Sequence, residues 1–162
     1  MTTKEYNEIV DVWSDGVFRF IRKNLTNEED ARDVVQNAFE ILWKNHADVQ
    51  FEKAKSYLFS TAYHNMIDFI RKNKRMDYVE EMDEGAKGGT AEMQIDVKQA
   101  IEKALTKLPD VQKNCILLRD YEGYNYEEIG EILSLNESQV KVYIFRARQT
   151  LKNYLVAIHH LI

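Results

Sequence analysis

"YNYEEIGEILSLNESQVKVYIFRARQTLKNYL", residues 124–155, divides into two amphipathic helical stretches around a three-residue break. Asn125 stands at an N-cap position for the first stretch, which places Ile129, Ile132 and Leu133 on one face. After the break "SLN", Asn136 with Gln139 three residues later can cap a longer helix whose apolar face reads Val140, Ile144, Ala147 and Leu151. A short helix, a brief turn and a longer basic helix make the helix-turn-helix pattern, in which the second helix enters the DNA major groove by its N-terminal residues. With the apolar face turned inward, Ser138, Gln139, Lys141, Val142, Phe145, Arg146, Arg148 and Gln149 point outward or flank the edge. Lys and Arg neutralise phosphates, Lys or Gln hydrogen-bond base edges, and Val or Phe meet a thymine methyl. The solvated face of an ordinary helical hairpin is the alternative, although such a face usually alternates in sign.

This cationic stretch belongs to an acidic chain. The 162 residues carry a formal net charge of -5, and the imbalance is local. Residues 1–75 hold 12 Lys/Arg and 12 Asp/Glu, and residues 96–162 hold 9 of each, whereas residues 76–95 hold one Lys against six acids. Within the neutral halves the signs are sorted again: residues 51–75 have 6 basic and 2 acidic groups, and residues 138–162 have 4 basic and none acidic.

Helical periodicity with a single proline predicts an all-α protein of two small helical domains. Tyr6, Ile9, Val10, Trp13, Val17, Phe20 and Ile21 make one face of a first helix. "TNEE" offers Thr26 as the cap of a second, with Val34, Val35, Ala38, Phe39 and Leu42 inward. A third is expected from about Lys53 to about Lys74, with Leu58, Ala62 and Ile70 on its core side. The domain boundaries fall at 1–75, a flexible acidic linker at 76–95 carrying "DEGAKGGTAE", and 96–162. The second domain opens with Ile95, Ala100, Ile101, Ala104 and Leu105, and Pro109 suits the first turn of the helix that follows. A coil of that length spans roughly 25 Å on average and at most about 70 Å, so it permits many separations and fixes none.

The other basic stretch, "KAKSYLFSTAYHNMIDFIRKNKR", residues 53–75, interleaves Tyr57, Phe59, Tyr63 and Phe69 with Arg71, Lys72, Lys74 and Arg75. Aromatic faces stack on unpaired bases while cations track the backbone, which suits single-stranded DNA; aromatics at helical spacing also pack inward. No catalytic constellation, metal-ligand cluster, phosphate loop or cofactor motif is apparent, since His46, His64, His159 and His160 are scattered or terminal. Cys115, in the apolar run "CILL", reads as a buried structural thiol. No apolar run reaches membrane-spanning length and the N-terminus does not read as a signal peptide, so a cytoplasmic protein with no membrane insertion and no enzyme activity is expected.

Three stretches in order, "DARDVVQNAFEILWKN" (30–45), "YLFSTAYHNMIDFIRKNKR" (57–75) and "LPDVQKNCILLRDYEGYNYEEIGEILSLNESQVKVYIFRARQTLK" (108–152), resemble the polymerase-binding helix, the promoter-melting helix and the promoter-reading helix-turn-helix of extracytoplasmic-function sigma factors. The resemblance covers nearly the whole chain. It implies that Asp33, Gln36 and Asn37 dock on core RNA polymerase, with Phe39 and Trp43 left mostly to packing. It implies that Tyr63, His64 and Asn65 belong to the minus-ten site, with Asn65 near the pocket for a flipped base and the loop His46 to Glu52 completing it. Arg71, Lys72, Lys74 and Arg75 would hold nearby phosphates. Lys141, Val142 and Phe145 fall where the family reads the minus-thirty-five element, with Tyr143, Arg146 and Arg148 positioned for backbone and Ser138 and Gln139 beside them. The implied partners are core polymerase, promoter DNA and, in many members, an anti-sigma factor.

Two departures bear on specificity. Val140-Lys141-Val142-Tyr143 stands where the family often has "VKSR", and Ser134 replaces the glycine common in the turn. Two rivals stay open on the residues: a stand-alone helix-turn-helix transcriptional regulator, which would need a dimer interface, and a helical adaptor that binds only proteins.

Overall fold

A computed structural model describes residues 1–77 and 97–161, and among these every regular element is helical. Helix α1 (Thr3–Arg22) begins with a reciprocal cap: the Thr2 hydroxyl accepts from the Glu5 amide at 3.1 Å and the Glu5 carboxylate accepts from the Thr2 amide at 2.9 Å. Helix α2 (Glu28–Lys44) is capped one residue later than the sequence suggested. Asn27, not Thr26, supplies the cap, its carbonyl oxygen accepting from the amides of Glu29 (2.9 Å) and Asp30 (3.1 Å). An amide side chain reaches two orphan donors at once, which a threonine one residue earlier does not. Helix α3 (Phe51–Asp77) begins two residues before the expected Lys53 and continues past Lys74.

The three helices pack against one another in a first unit. Its core is Ile9, Val17, Phe20, Ile21, Val34, Val35, Ala38, Leu42, Leu58, Phe59, Ala62 and Met66. Each fully buried large apolar side chain contributes about 1.5–3 kcal/mol relative to exposure, so this row outweighs any polar contact described below. Ile70, expected on the core side, is only half-buried.

The second unit contains α4 (Val97–Thr106), α5 (Asp110–Ile116), a π-helical turn (Leu117–Tyr121), α6 (Tyr126–Leu133) and α7 (Glu137–Leu161). Helices α4 and α5 pack on α7. Ala100, Ala104, Leu105, Leu108, Cys115, Ile116, Leu117 and Leu118 are buried together with Val140, Ile144 and Ala147 of α7. Pro109 stands as N-cap of α5, where its missing N–H costs nothing. The linker expected at 76–95, apart from the two residues that end α3, lies outside the described residues, and so does Ile95.

Candidate nucleic-acid interface

Both helices of the helix-turn-helix start with reciprocal caps, which fixes where each begins. In α6 the Asn125 side chain accepts from the Glu128 amide at 2.8 Å, and Glu128 accepts from the Asn125 amide at 3.4 Å. In α7 Asn136 accepts from the Gln139 amide at 2.8 Å, and Gln139 accepts from the Asn136 amide at 3.0 Å. Between them Ser134 is left-handed (φ 59°, ψ 47°), and the amides of Ser134 and Leu135 both reach back to the Gly130 carbonyl. Gly130 is required for that closure, because a Cβ there would stand 2.5 Å from the Leu135 carbonyl oxygen.

This frame rotates α7 as its periodicity predicts. Val140, Ile144 and Ala147 are buried, Leu151 is half-buried, and Ser138, Gln139, Lys141, Val142, Phe145, Arg146, Arg148 and Gln149 are exposed. Val142 is 44% and Phe145 69% exposed, an apolar surface open to solvent. Tyr143 is half-buried and lines, with Asn136, Ser138, Gln139, Val142 and Arg146, a shallow depression of about 250 Å³ at the N-terminal end of the helix. Gln139 is exposed, but its carbonyl oxygen is committed to the cap, which leaves its N–H groups for any base edge.

A group that sequence reading missed lies beside this face. The Tyr126 ring, in the first turn of α6, has the Arg119 guanidinium 4.9 Å and the Lys141 ammonium 5.9 Å from its centre. Arg119 also donates to the Tyr124 carbonyl at 2.9 Å. Arg148 donates from Nη2 to Oδ1 of Asp120 at 2.8 Å, and Lys141 lies 3.7 Å from Glu137. The hydrogen bond that Arg148 donates to Asp120 is the main reason that its guanidinium holds its proton even more firmly than usual. Asp120 and Arg119 both sit in the π-helical turn, where the Glu122 amide bonds the Leu117 carbonyl at 3.1 Å, five residues back. That wider turn is not marked by any residue type in "LLRDY".

In the first unit, Asn65 on α3 is half-buried and its Nδ2 is a buried polar atom without a hydrogen-bond partner. Such an orphan donor calls for an explanation, and a ligand is one. His64 beside it is exposed, with Nδ1 2.7 Å from the Ser60 carbonyl. Tyr63 is half-buried, 6.5 Å from the Phe20 ring and 5.4 Å from His64. Phe59 is wholly buried and belongs to the core, which removes it from the candidate stacking residues. Tyr57 and Phe69 are half-buried, and the Tyr57 hydroxyl accepts from Asn45 at 3.1 Å. Arg71, Lys72 and Lys74 are exposed, and Arg75 continues the helix. The loop before α3 is shorter than expected, since Phe51 and Glu52 are already helical. The terminal ammonium of Met1 donates to the carbonyls of His46 (2.9 Å) and Val49 (3.1 Å) in that loop.

Asp33, Gln36 and Asn37 share one exposed face of α2, spaced three and four residues apart. Trp43, expected to serve mostly packing, is 41% exposed. It meets Tyr6 edge-on at 5.0 Å, stacks on His46 at 4.3 Å, and lines a groove of about 480 Å³ with Thr3, Tyr6, Asn7, Glu40 and Lys44. Cys115 is buried and its thiol is pushed up to about 12 by desolvation, which leaves it no nucleophilic role. Among the described residues no helix is long and apolar enough to cross a membrane.

Comparison with known proteins agrees with the class that these two units define. Residues 9–76 match the Sigma-70 region 2 family and residues 98–151 match Sigma-70 region 4. The chain is 27% identical to the ECF RNA polymerase sigma factor SigM of Bacillus subtilis (strain 168), over 90% of this chain and 92% of that one. It is 28% identical to SigW of the same organism, over 93% and 88%. The fold is also that of RpoE from Bartonella quintana, solved with the anti-sigma factor NepR (TM-score 0.75, 22% identity, 94% and 98% covered). CnrH, solved with the cytosolic domain of CnrY, gives a TM-score of 0.71 at 21% identity, covering 96% and 90%. The chain belongs to the extracytoplasmic-function family of RNA polymerase sigma factors.

Proposed function

We propose that this transcription-initiation factor divides its work among three faces. The face of α2 with Asp33, Gln36 and Asn37 docks on core RNA polymerase. On α3, Asn65 with Tyr63, His64 and the loop after α2 receives an extruded minus-ten base, while Arg71, Lys72, Lys74 and Arg75 hold phosphates. The unpaired Nδ2 of Asn65 supports this, because extrusion costs a few kcal/mol of unstacking that new hydrogen bonds must offset. On α7, Lys141, Val142 and Phe145 read base edges of the minus-thirty-five element, with Ser138, Gln139, Tyr143, Arg146 and Arg148 on or near the backbone. The chain contributes positioning rather than catalysis. RpoE from Bartonella quintana was solved with the anti-sigma factor NepR, which favours a partner of that class here as well.

The observation that carries the reading is the exposure of Val142 and Phe145 among cations on a helix whose opposite face is sealed into its unit. Replacing Lys141→Glu together with Arg146→Glu tests it in promoter-directed transcription with purified core polymerase. Loss of initiation with polymerase binding retained is the expected result. Undiminished initiation would overturn the assignment of this face of α7 to the minus-thirty-five element.

A further inference from the structure

The cations beside the reading helix are not equivalent. Arg119 and Lys141 gather at the Tyr126 ring, and Arg148 is held at 2.8 Å by Asp120, 28 residues earlier in the chain. Both partners stay open to solvent, Arg148 51% and Asp120 42% exposed in their side chains, and exposed pairs of this kind add little to folding stability. Stability is therefore a weak account of the pair. Its geometry is that of an oxyanion on a guanidinium, the same recognition by which arginine binds a DNA phosphate. Asp120 is set there by the π-helical turn, a rare local widening that often marks functional sites.

We propose that Asp120 is a built-in brake on DNA affinity: its carboxylate occupies Arg148 in place of a DNA phosphate, so that DNA must displace or share it. Part of the sequence-independent attraction is thereby cancelled within the protein. Contacts to base edges, which Asp120 does not touch, then carry a larger share of the total binding. Glu137 stands toward Lys141 in a similar sense, but at 3.7 Å and on the same helix. The inference rests on the reading that Arg148 meets the DNA backbone.

The test uses the full chain titrated onto a short random-sequence DNA duplex over a range of salt, read by fluorescence anisotropy. Asp120→Asn is expected to bind roughly two- to fivefold tighter, the gain from freeing a cation from a surface pair. Its plot of log affinity against log salt should steepen by about 0.9, one more phosphate neutralised. Asp120→Glu, which keeps the charge, should restore the original affinity and slope. In an Arg148→Ala background the Asn substitution should change neither. An equal gain in that background, or no gain with Arg148 present, overturns the brake. If Arg148→Ala alone weakens binding while Asp120→Asn does nothing, the brake falls and the backbone role of Arg148 stands. If Arg148→Ala has no effect, that role fails and the brake with it. Thermal melts followed by circular dichroism verify that each variant is folded.

Discussion

At Ser134 the chain adopts a left-handed conformation (φ 59°) that costs an L-residue about 1–2 kcal/mol and glycine almost nothing. Ser134→Gly should therefore raise stability by about 0.5–1 kcal/mol in urea unfolding, after the entropy that glycine adds to the unfolded chain. Gly130 is the opposite case: its own carbonyl closes the turn, and a methyl would run into the Leu135 backbone. Gly130→Ala should cost about 1–3 kcal/mol in the same assay, because the obstruction is main chain that cannot rotate aside. Cys115 makes a prediction in pH. Its thiol rises from 9.0 to about 12 through desolvation, so the folded state holds its proton where the unfolded chain releases it. The stability from the neutral thiol is fully present below pH 9.0 and is lost as pH climbs toward about 12. Alkaline unfolding should be less steep in Cys115→Ala than in the parent, and an equal slope in both would contradict it.

At the scale of the element, what could be read from the sequence was what is local. The pairing of Asn136 with Gln139 and the cap at Asn125 span three residues each, so spacing alone identified both. The start of α2 shows the limit: Thr26 and Asn27 are both capping residues with an acid three positions on, and only the folded chain chooses between them. Asn27→Ala should cost about 1 kcal/mol in thermal or urea unfolding, whereas Thr26→Ala should cost almost nothing. The π-helical turn has no compositional mark, and the Arg148–Asp120 pair joins residues that periodicity cannot connect. Trp43, which the resemblance leaves mostly to packing, lies at the rim with its ring against Tyr6 and His46, while its neighbour Leu42 is buried. Asn65 was indicated by resemblance, and its unpaired donor is visible only in three dimensions.

At the scale of the molecule, two near-neutral halves offer little net attraction to DNA, since affinity follows the phosphates neutralised and falls steeply with salt. The free chain should bind promoter duplex weakly at moderate salt and with little preference over random sequence, and core polymerase should supply the discrimination by fixing the distance between its two units. Competition binding with and without polymerase measures this; tight, selective binding by the chain alone would refute it. The division into two helical units was visible in the sequence because each carries its own apolar periodicity, whereas their separation is not encoded in either. The seclusion of Cys115 has a practical result here. A cysteine introduced on an exposed position of each unit would take maleimide dyes against a silent background, and energy transfer between the pair would act as a ruler for the distance between the units with and without core polymerase.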